Sequence, residues 1–147
     1  MSKGHHSGLS QNIAWTTFKG SCLIHPLVTA STSTLFAMIL GWNLAMQLTV
    51  VFYNFITFIF LHWIIGDPFE DENCLLTFWE QMVEQIGSSD CMMFMLAYPC
   101  LLFVFTNWFV VWNDYLFFVA VFSLCLVVIP KLRFMHKKRL FGIRDFS

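Results

Sequence analysis

The chain has 147 residues, of which 58% are hydrophobic, 18% aromatic and only 12% charged, whereas a typical soluble domain is about half apolar and about a quarter charged. A soluble domain could not hide this much apolar surface, because a chain of about 150 residues still exposes roughly a third of its unfolded surface. The formal net charge of -1 and the lack of a basic repeat exclude a nucleic-acid-binding protein. The composition predicts an all-α integral membrane protein.

The N-terminal part of the chain divides into a polar tail, residues 1–19, and a long stretch without charged side chains, residues 20–66. A helix that spans the bilayer needs about 20 mainly apolar residues. The stretch is therefore long enough for two spans, which we predict at residues 21–40 and 44–65, with a turn between them.

Polar residues within these two spans indicate that they pack against other helices. Gln47 and Asn54 are seven residues apart and therefore lie on one face of the second span, where two buried amides need partners. The first span carries a run of small hydroxyl residues, which allow close helix contacts in lipid and are expected to face protein: Thr29, Ser31, Thr32, Ser33 and Thr34.

The segment that follows, residues 67–90, is called the arm, and it holds seven of the nine acidic residues. One helical stripe runs through it, formed by Leu75, Trp79, Met82 and Ile86. Asn73 is expected to cap the start of this short amphipathic helix and Gly87 its end. Helices that bind a lipid surface usually carry Lys or Arg toward the headgroups. Because this helix carries neither, we favour docking on a protein partner or on the bundle's own end over lipid-surface binding.

Two more spans follow the arm, at residues 91–111 and 116–129, and Pro130 ends the last one. The charge-free window of the last span, residues 115–130, is short, so we expect either that Lys131 and Arg133 extend their charged ends toward the headgroups or that the bilayer thins locally. Residues 20–130 thus form a four-helix transmembrane domain that includes the arm, and residues 131–147 form a basic tail. This tail either attracts anionic membrane lipid, at about 1 kcal/mol per charge near the surface, or only fixes the topology.

The distribution of positive charge predicts the orientation. All eight Lys and Arg residues lie in the two tails, and the short turns between spans one and two and between spans three and four have none. Positive residues stay on the cytosolic side of a membrane. Both termini and the arm are therefore expected in the cytosol.

The sequence offers little for catalysis. Membrane enzymes and transporters place ionisable groups within the bilayer, but here only His25 and His62 qualify, each near a helix end. The sequence contains no paired carboxylates for acid–base chemistry, no metal-ligand cluster and no phosphate-binding loop. We therefore expect no catalytic residues, no metal and no cofactor, and a protein that binds rather than reacts.

Several motifs between residues 58 and 143 resemble those of the Orm (ORMDL) family, in the same order and at similar spacing. Before and within the arm these are Phe58–His62, Gly66–Glu70 and Leu75–Met82, and after the fourth span they are Ile129–Leu132, His136 and Arg139–Ile143. The combination of Trp79-Glu80-Gln81-Met82 with the later Ile129-Pro130-Lys131-Leu132 is the most specific part of the resemblance.

The resemblance implies a protein of the endoplasmic reticulum membrane that binds the subunits of serine palmitoyltransferase and restrains this enzyme, which begins sphingolipid synthesis. In the family, ceramide strengthens the restraint, and the N-terminal tail reaches the substrate tunnel of the enzyme. Asn12 stands eight residues before Gly20, as in the family pattern, and is the candidate ceramide ligand.

The motif in the arm leaves two interpretations open. Trp79, Glu80, Gln81 and Met82 either contact the partner enzyme or belong to an interfacial helix that only caps the bundle. For the whole protein, a negative regulator of serine palmitoyltransferase is the leading hypothesis. The alternatives are a structural or assembly factor of another endoplasmic reticulum membrane complex, and a small lipid transporter or membrane enzyme.

Overall fold

A computed structural model of the protein describes residues 8–64 and 74–138, and these residues form an all-α fold. The helices are α1 (Gln11–Ala14), α2 (Ile24–Leu40), α3 (Trp42–Phe58), α4 (Phe78–Ile86), α5 (Asp90–Phe109) and α6 (Asp114–Val128). Shorter helical turns are Trp15–Thr17, Ser21–Leu23, Ile59–Trp63, Ile129–Lys131 and Arg133–Met135. The predicted fold class is confirmed: four helical stretches are long and apolar enough to span a membrane, and α4 is the additional short helix.

The four spans are Ser21–Leu40, Trp42–Trp63, Asp90–Phe109 and Asp114–Lys131, close to the predicted bounds. Gly41 makes the first turn with a φ of 81°, a conformation that favours glycine. α3 continues into a π-helical turn, Ile59–Trp63, after which the chain becomes extended at Ile64. Asn113 caps α6 by accepting from two backbone N–H groups.

α3 lies at the centre of the bundle and contacts α2, α5 and α6. Gln47 donates to the carbonyl of Val111 at 2.8 Å and accepts from the backbone N–H of Asn113 at 3.1 Å. Asn43, one helical turn earlier, bonds both backbone groups of Val111 at 2.8 and 2.9 Å. These two amides attach the α5–α6 turn to α3 at the end of the bundle opposite α4. The prediction that Gln47 needs a protein partner is confirmed.

The other predicted amide is paired through its donor, because Asn54 donates to the Ser123 hydroxyl of α6 at 3.1 Å, whereas its buried Oδ1 has no hydrogen-bond partner among the described residues. The hydroxyl run of α2 is only partly directed at protein. Thr29 bonds the Tyr98 hydroxyl at 2.6 Å and Ser33 bonds Thr49 at 3.1 Å, whereas Ser31 and Thr34 are exposed. The expectation that the whole run faces protein is therefore wrong. Consecutive residues point in different directions around a helix, and α2 lies at the edge of the bundle.

Candidate functional site at the arm end of the bundle

The described part of the arm forms α4, which lies on the bundle and begins with a capping box. Thr77 accepts a hydrogen bond from the Glu80 backbone N–H at 3.4 Å, and the Glu80 carboxylate accepts from the Thr77 N–H at 2.9 Å. The helix ends at Gly87, as predicted. Its predicted cap, Asn73, lies outside the described residues, and the prediction that the helix includes Leu75 is wrong, because Thr77 starts the helix two residues later.

The apolar face of α4 packs on the end of the bundle rather than facing lipid or solvent. Phe78, Trp79 and Met82 are at most 5% exposed. They belong to one buried cluster drawn from four parts of the chain, which consists of Ile13, Leu61, Phe78, Trp79, Met82, Cys91, Met92 and Met95. We refer to these eight residues as the arm cluster. The sequence left two docking sites open for the arm, a protein partner and the bundle's own end. In the structure, α4 packs on the bundle's own end.

The N-terminal segment, residues 10–17, also belongs to this site. Ile13 is fully buried in the arm cluster, and the ring of Trp15 lies 6.2 Å from that of Phe78. The backbone N–H of Ser10 donates to the Gln85 side chain of α4 at 3.0 Å. This part of the tail is therefore folded and docked on α4, although its sequence predicted a polar tail.

The predicted site residues take different positions in this arrangement. Asn12 is exposed on α1, next to the buried Ile13. Trp79, Glu80, Gln81 and Met82 are all buried within the chain, with Gln81 and Met82 fully so. Contact of these four residues with a partner stays a prediction. In this conformation a partner would meet the surface that they support, on which Glu84 is exposed.

An ion pair joins α4 to the C-terminal tail. Glu84 accepts from the Lys137 ammonium at 2.6 Å and from the His136 ring nitrogen Nε2 at 2.9 Å. The hydrogen bonds from Lys137 and His136 hold the pKa of the Glu84 carboxyl below its ordinary value of 4.5. All three side chains keep contact with solvent, so the pairs are screened and each contributes little to stability. No pattern in the sequence predicted this contact.

Lys131 corrects another expectation. Its side chain does not extend toward the headgroups but is buried, with 6% of its surface exposed. The ammonium donates to the carbonyl of Met95 at 2.6 Å and lies 5.4 Å from the centre of the Trp79 ring. Pro99 in the third span was a sequence feature that could have indicated this position of Lys131. A proline leaves the carbonyl four residues earlier without its helical donor, and that carbonyl needs another donor.

The two histidines of the spans have structural contacts. His25 shares a 2.8 Å hydrogen bond with the Tyr53 hydroxyl, and the ring of His62 lies 5.9 Å from that of Trp79. Among residues 8–64 and 74–138, no group of three His, Cys, Asp or Glu side chains could hold a metal ion.

Four apolar spans, with an arm helix and an N-terminal segment packed together on one end, define a multi-pass helical membrane protein with an arm helix docked on its bundle. The model of the ORMDL family matches residues 10–139. The chain therefore belongs to the ORMDL family.

Comparison with individual proteins agrees with this assignment. The chain is 34% identical to an uncharacterized protein of Schizosaccharomyces pombe over 146 residues, covering 96% of this chain and 78% of the relative. It is 34% identical to ORM1-like protein 3 of Homo sapiens over 103 residues, covering 67% of each chain. ORM1-like protein 2 of Gallus gallus is 26% identical over 147 residues, covering 96% of each.

Proposed function

We propose that this protein is a non-catalytic negative regulator of serine palmitoyltransferase that acts in ceramide-dependent feedback control of sphingolipid synthesis. In this proposal it is a multi-pass protein of the endoplasmic reticulum membrane with both termini in the cytosol. The observation that carries the proposal is the ORMDL family match over residues 10–139, which includes both the N-terminal segment and the arm.

The architecture of the arm end is compatible with a regulator. Restraining an enzyme requires no reacting group, but it requires a recognition segment held in a defined position. Ile13 provides such an anchor, because its side chain is fully buried in the arm cluster. The neighbouring exposed residues of α1 therefore have a limited range of orientations.

Asn12 is the candidate ceramide ligand in this proposal. Its side chain is exposed on α1, and a carboxamide offers two donors and an acceptor. Ceramide carries an amide and hydroxyl groups that match these functions. For ceramide to strengthen the restraint, it must bind the restrained complex more tightly than the active one, because a ligand shifts an equilibrium only by its differential affinity.

Depletion of the protein tests the regulatory role. Sphingoid-base synthesis, measured from labelled serine in isolated membranes, is expected to rise when the protein is removed and to fall again when it is restored. Unchanged synthesis after complete depletion would argue against the proposal. If a different membrane complex then co-purified with the protein, the alternative of a structural or assembly factor would be supported.

Substitution of Asn12 tests the ligand assignment separately. Asn12→Ala is expected to leave the complex with the enzyme intact and to shift the ceramide concentration for half-maximal inhibition upward. Gln11→Ala is the matched control, because Gln11 is also an exposed amide of α1. Identical ceramide dose–response curves for the wild type and Asn12→Ala would remove Asn12 from the site.

The topology requires its own measurement. Glycosylation acceptors added at either terminus are expected to remain unmodified, whereas an acceptor inserted in the α5–α6 turn is expected to be glycosylated, provided that it is placed far enough from the membrane. Modification of one terminus but not the other would exclude an even number of spans and the proposed position of the N-terminal segment.

A further inference from the structure

Pro99 interrupts the hydrogen bonding of α5 at a buried position. It lies inside the helix and is among the fully buried residues. A proline has no backbone N–H, and its ring pushes against the carbonyl of the residue four positions earlier. The carbonyl of Met95 therefore lacks its helical donor in a part of the protein where water is scarce.

Lys131 supplies this donor from another part of the chain. It lies in the short helical turn Ile129–Lys131 that follows α6, and its ammonium reaches the Met95 carbonyl at 2.6 Å. The ion pairs within residues 8–64 and 74–138 are those formed by Glu84. In this part of the chain the buried ammonium is therefore matched by a backbone carbonyl rather than by a carboxylate.

The same ammonium also contacts the arm. It lies 5.4 Å from the centre of the Trp79 ring, within the distance at which a cation is attracted to the face of an aromatic ring. Both residues are almost fully buried, and desolvation strengthens this attraction. Trp79 in turn belongs to the arm cluster together with Ile13 of the N-terminal segment.

We propose that Lys131 is a positioning residue that holds the arm, and with it the N-terminal segment, on the bundle by bridging the Met95 carbonyl exposed by Pro99 to the ring of Trp79. This role of Lys131 is distinct from topology and from contact with a partner. Its consequence for enzyme restraint rests on the proposed function, whereas its consequence for the arm does not.

The shared dependence on the Met95 carbonyl predicts a specific coupling between Lys131 and Pro99. In Lys131→Met, the Met95 carbonyl has no donor and the arm loses its cation. In a Pro99→Ala background, the substituted residue has a backbone N–H that can bond to the Met95 carbonyl within the helix, so removal of the ammonium no longer leaves a buried acceptor unpaired. Lys131→Met is therefore expected to have a large effect with Pro99 present and a small one in the Pro99→Ala background.

Cys91 is a natural reporter of arm docking. The residue is 6% exposed within the arm cluster. Labelling by a membrane-impermeant maleimide in lipid nanodiscs, quantified by peptide mass spectrometry, gives the Cys91 rate relative to that of the same cysteine in the denatured protein. We expect Lys131→Met to raise this ratio at least tenfold with Pro99 and less than about threefold in the Pro99→Ala background.

Each outcome decides the proposal. A wild-type Cys91 rate in Lys131→Met, or equal increases in both backgrounds, would overturn it. Accumulation of the Lys131→Met protein only in the Pro99→Ala background would support the coupling, and failure to accumulate in both backgrounds would overturn it. If arm release in Lys131→Met also relieves serine palmitoyltransferase, the proposed function is supported. If wild-type protein never restrains the enzyme, that function fails while the labelling result stands.

Discussion

Truncation of Ile13 should release the N-terminal segment from the arm. The side chain is fully buried in the arm cluster, and replacing a buried isoleucine with alanine costs about 2–5 kcal/mol in well-packed proteins. We use about 2–3 kcal/mol, the lower part of this range, because the segment is short and part of the gap can close. At 1.4 kcal/mol per tenfold change, the ratio of undocked to docked segment should rise roughly 30- to 140-fold.

Hydrogen exchange measures this ratio directly. The backbone N–H groups of Ile13 and Ala14 both bond to the Ser10 carbonyl, at 3.0 and 2.9 Å, and exchange from them requires the segment to open. In Ile13→Ala, both amides should exchange faster by a factor that approaches the calculated one, while those of α3 remain unchanged. Asn12→Ala, at an exposed neighbouring position, is the matched control. Equal exchange in Ile13→Ala and wild type would refute the view that this side chain holds the segment.

Three further predictions concern other contacts. Thr77→Ala should destabilise α4 by about 0.5–2 kcal/mol through loss of the cap, seen as faster amide exchange in its first turn, and unchanged exchange would contradict the role of the capping box. Gln47→Leu should lower stability to denaturation in mixed micelles by about 1–2 kcal/mol, as expected for hydrogen bonds lost within a membrane protein, and a wild-type midpoint would contradict this. Because Lys137 and His136 lower the pKa of Glu84, their stabilising contact should persist above pH 4.5 and weaken as pH falls through the lowered value. In carbon NMR titrations the Glu84 midpoint should lie below 4.5 and rise in Lys137→Met, and equal midpoints would contradict the assignment.

The four spans could be predicted from the sequence because charge-free stretches directly reflect the cost of placing ions in lipid. The pairing of Gln47 and Asn54 followed from the same reasoning, since a buried amide requires a partner. The start of the arm helix was missed, although Thr77 and Glu80 have the spacing of a capping box and were a usable signal. Asn is a residue type that often caps helices, which is why Asn73 was chosen. Residue type alone, however, does not specify the residue at which a helix begins.

Two features of the candidate site could not be obtained from local patterns. The docking of Ile13 depends on a pocket formed by helices that are distant in the sequence, and a helix of four residues shows no periodicity. The inward direction of Lys131 depends on a carbonyl in α5 that a proline leaves unpaired. Lysines at the ends of spans usually extend toward the headgroups. This general tendency led to the wrong prediction for Lys131, although Pro99 indicated an unpaired carbonyl in α5.

The π-helical turn Ile59–Trp63 determines which side chains at the end of the second span face the arm. In this turn the ring of Phe60 lies 5.0 Å from that of Phe78, Leu61 is buried in the arm cluster, and the ring of His62 lies 5.9 Å from that of Trp79, so that three consecutive side chains meet the arm. A regular α-helix would separate successive side chains by about 100° around the axis and present fewer of them to one neighbour. Deletion of one residue from this turn would rotate Trp63 toward the arm and move Leu61 from its position in the arm cluster. The length of this turn is therefore as restricted as its composition.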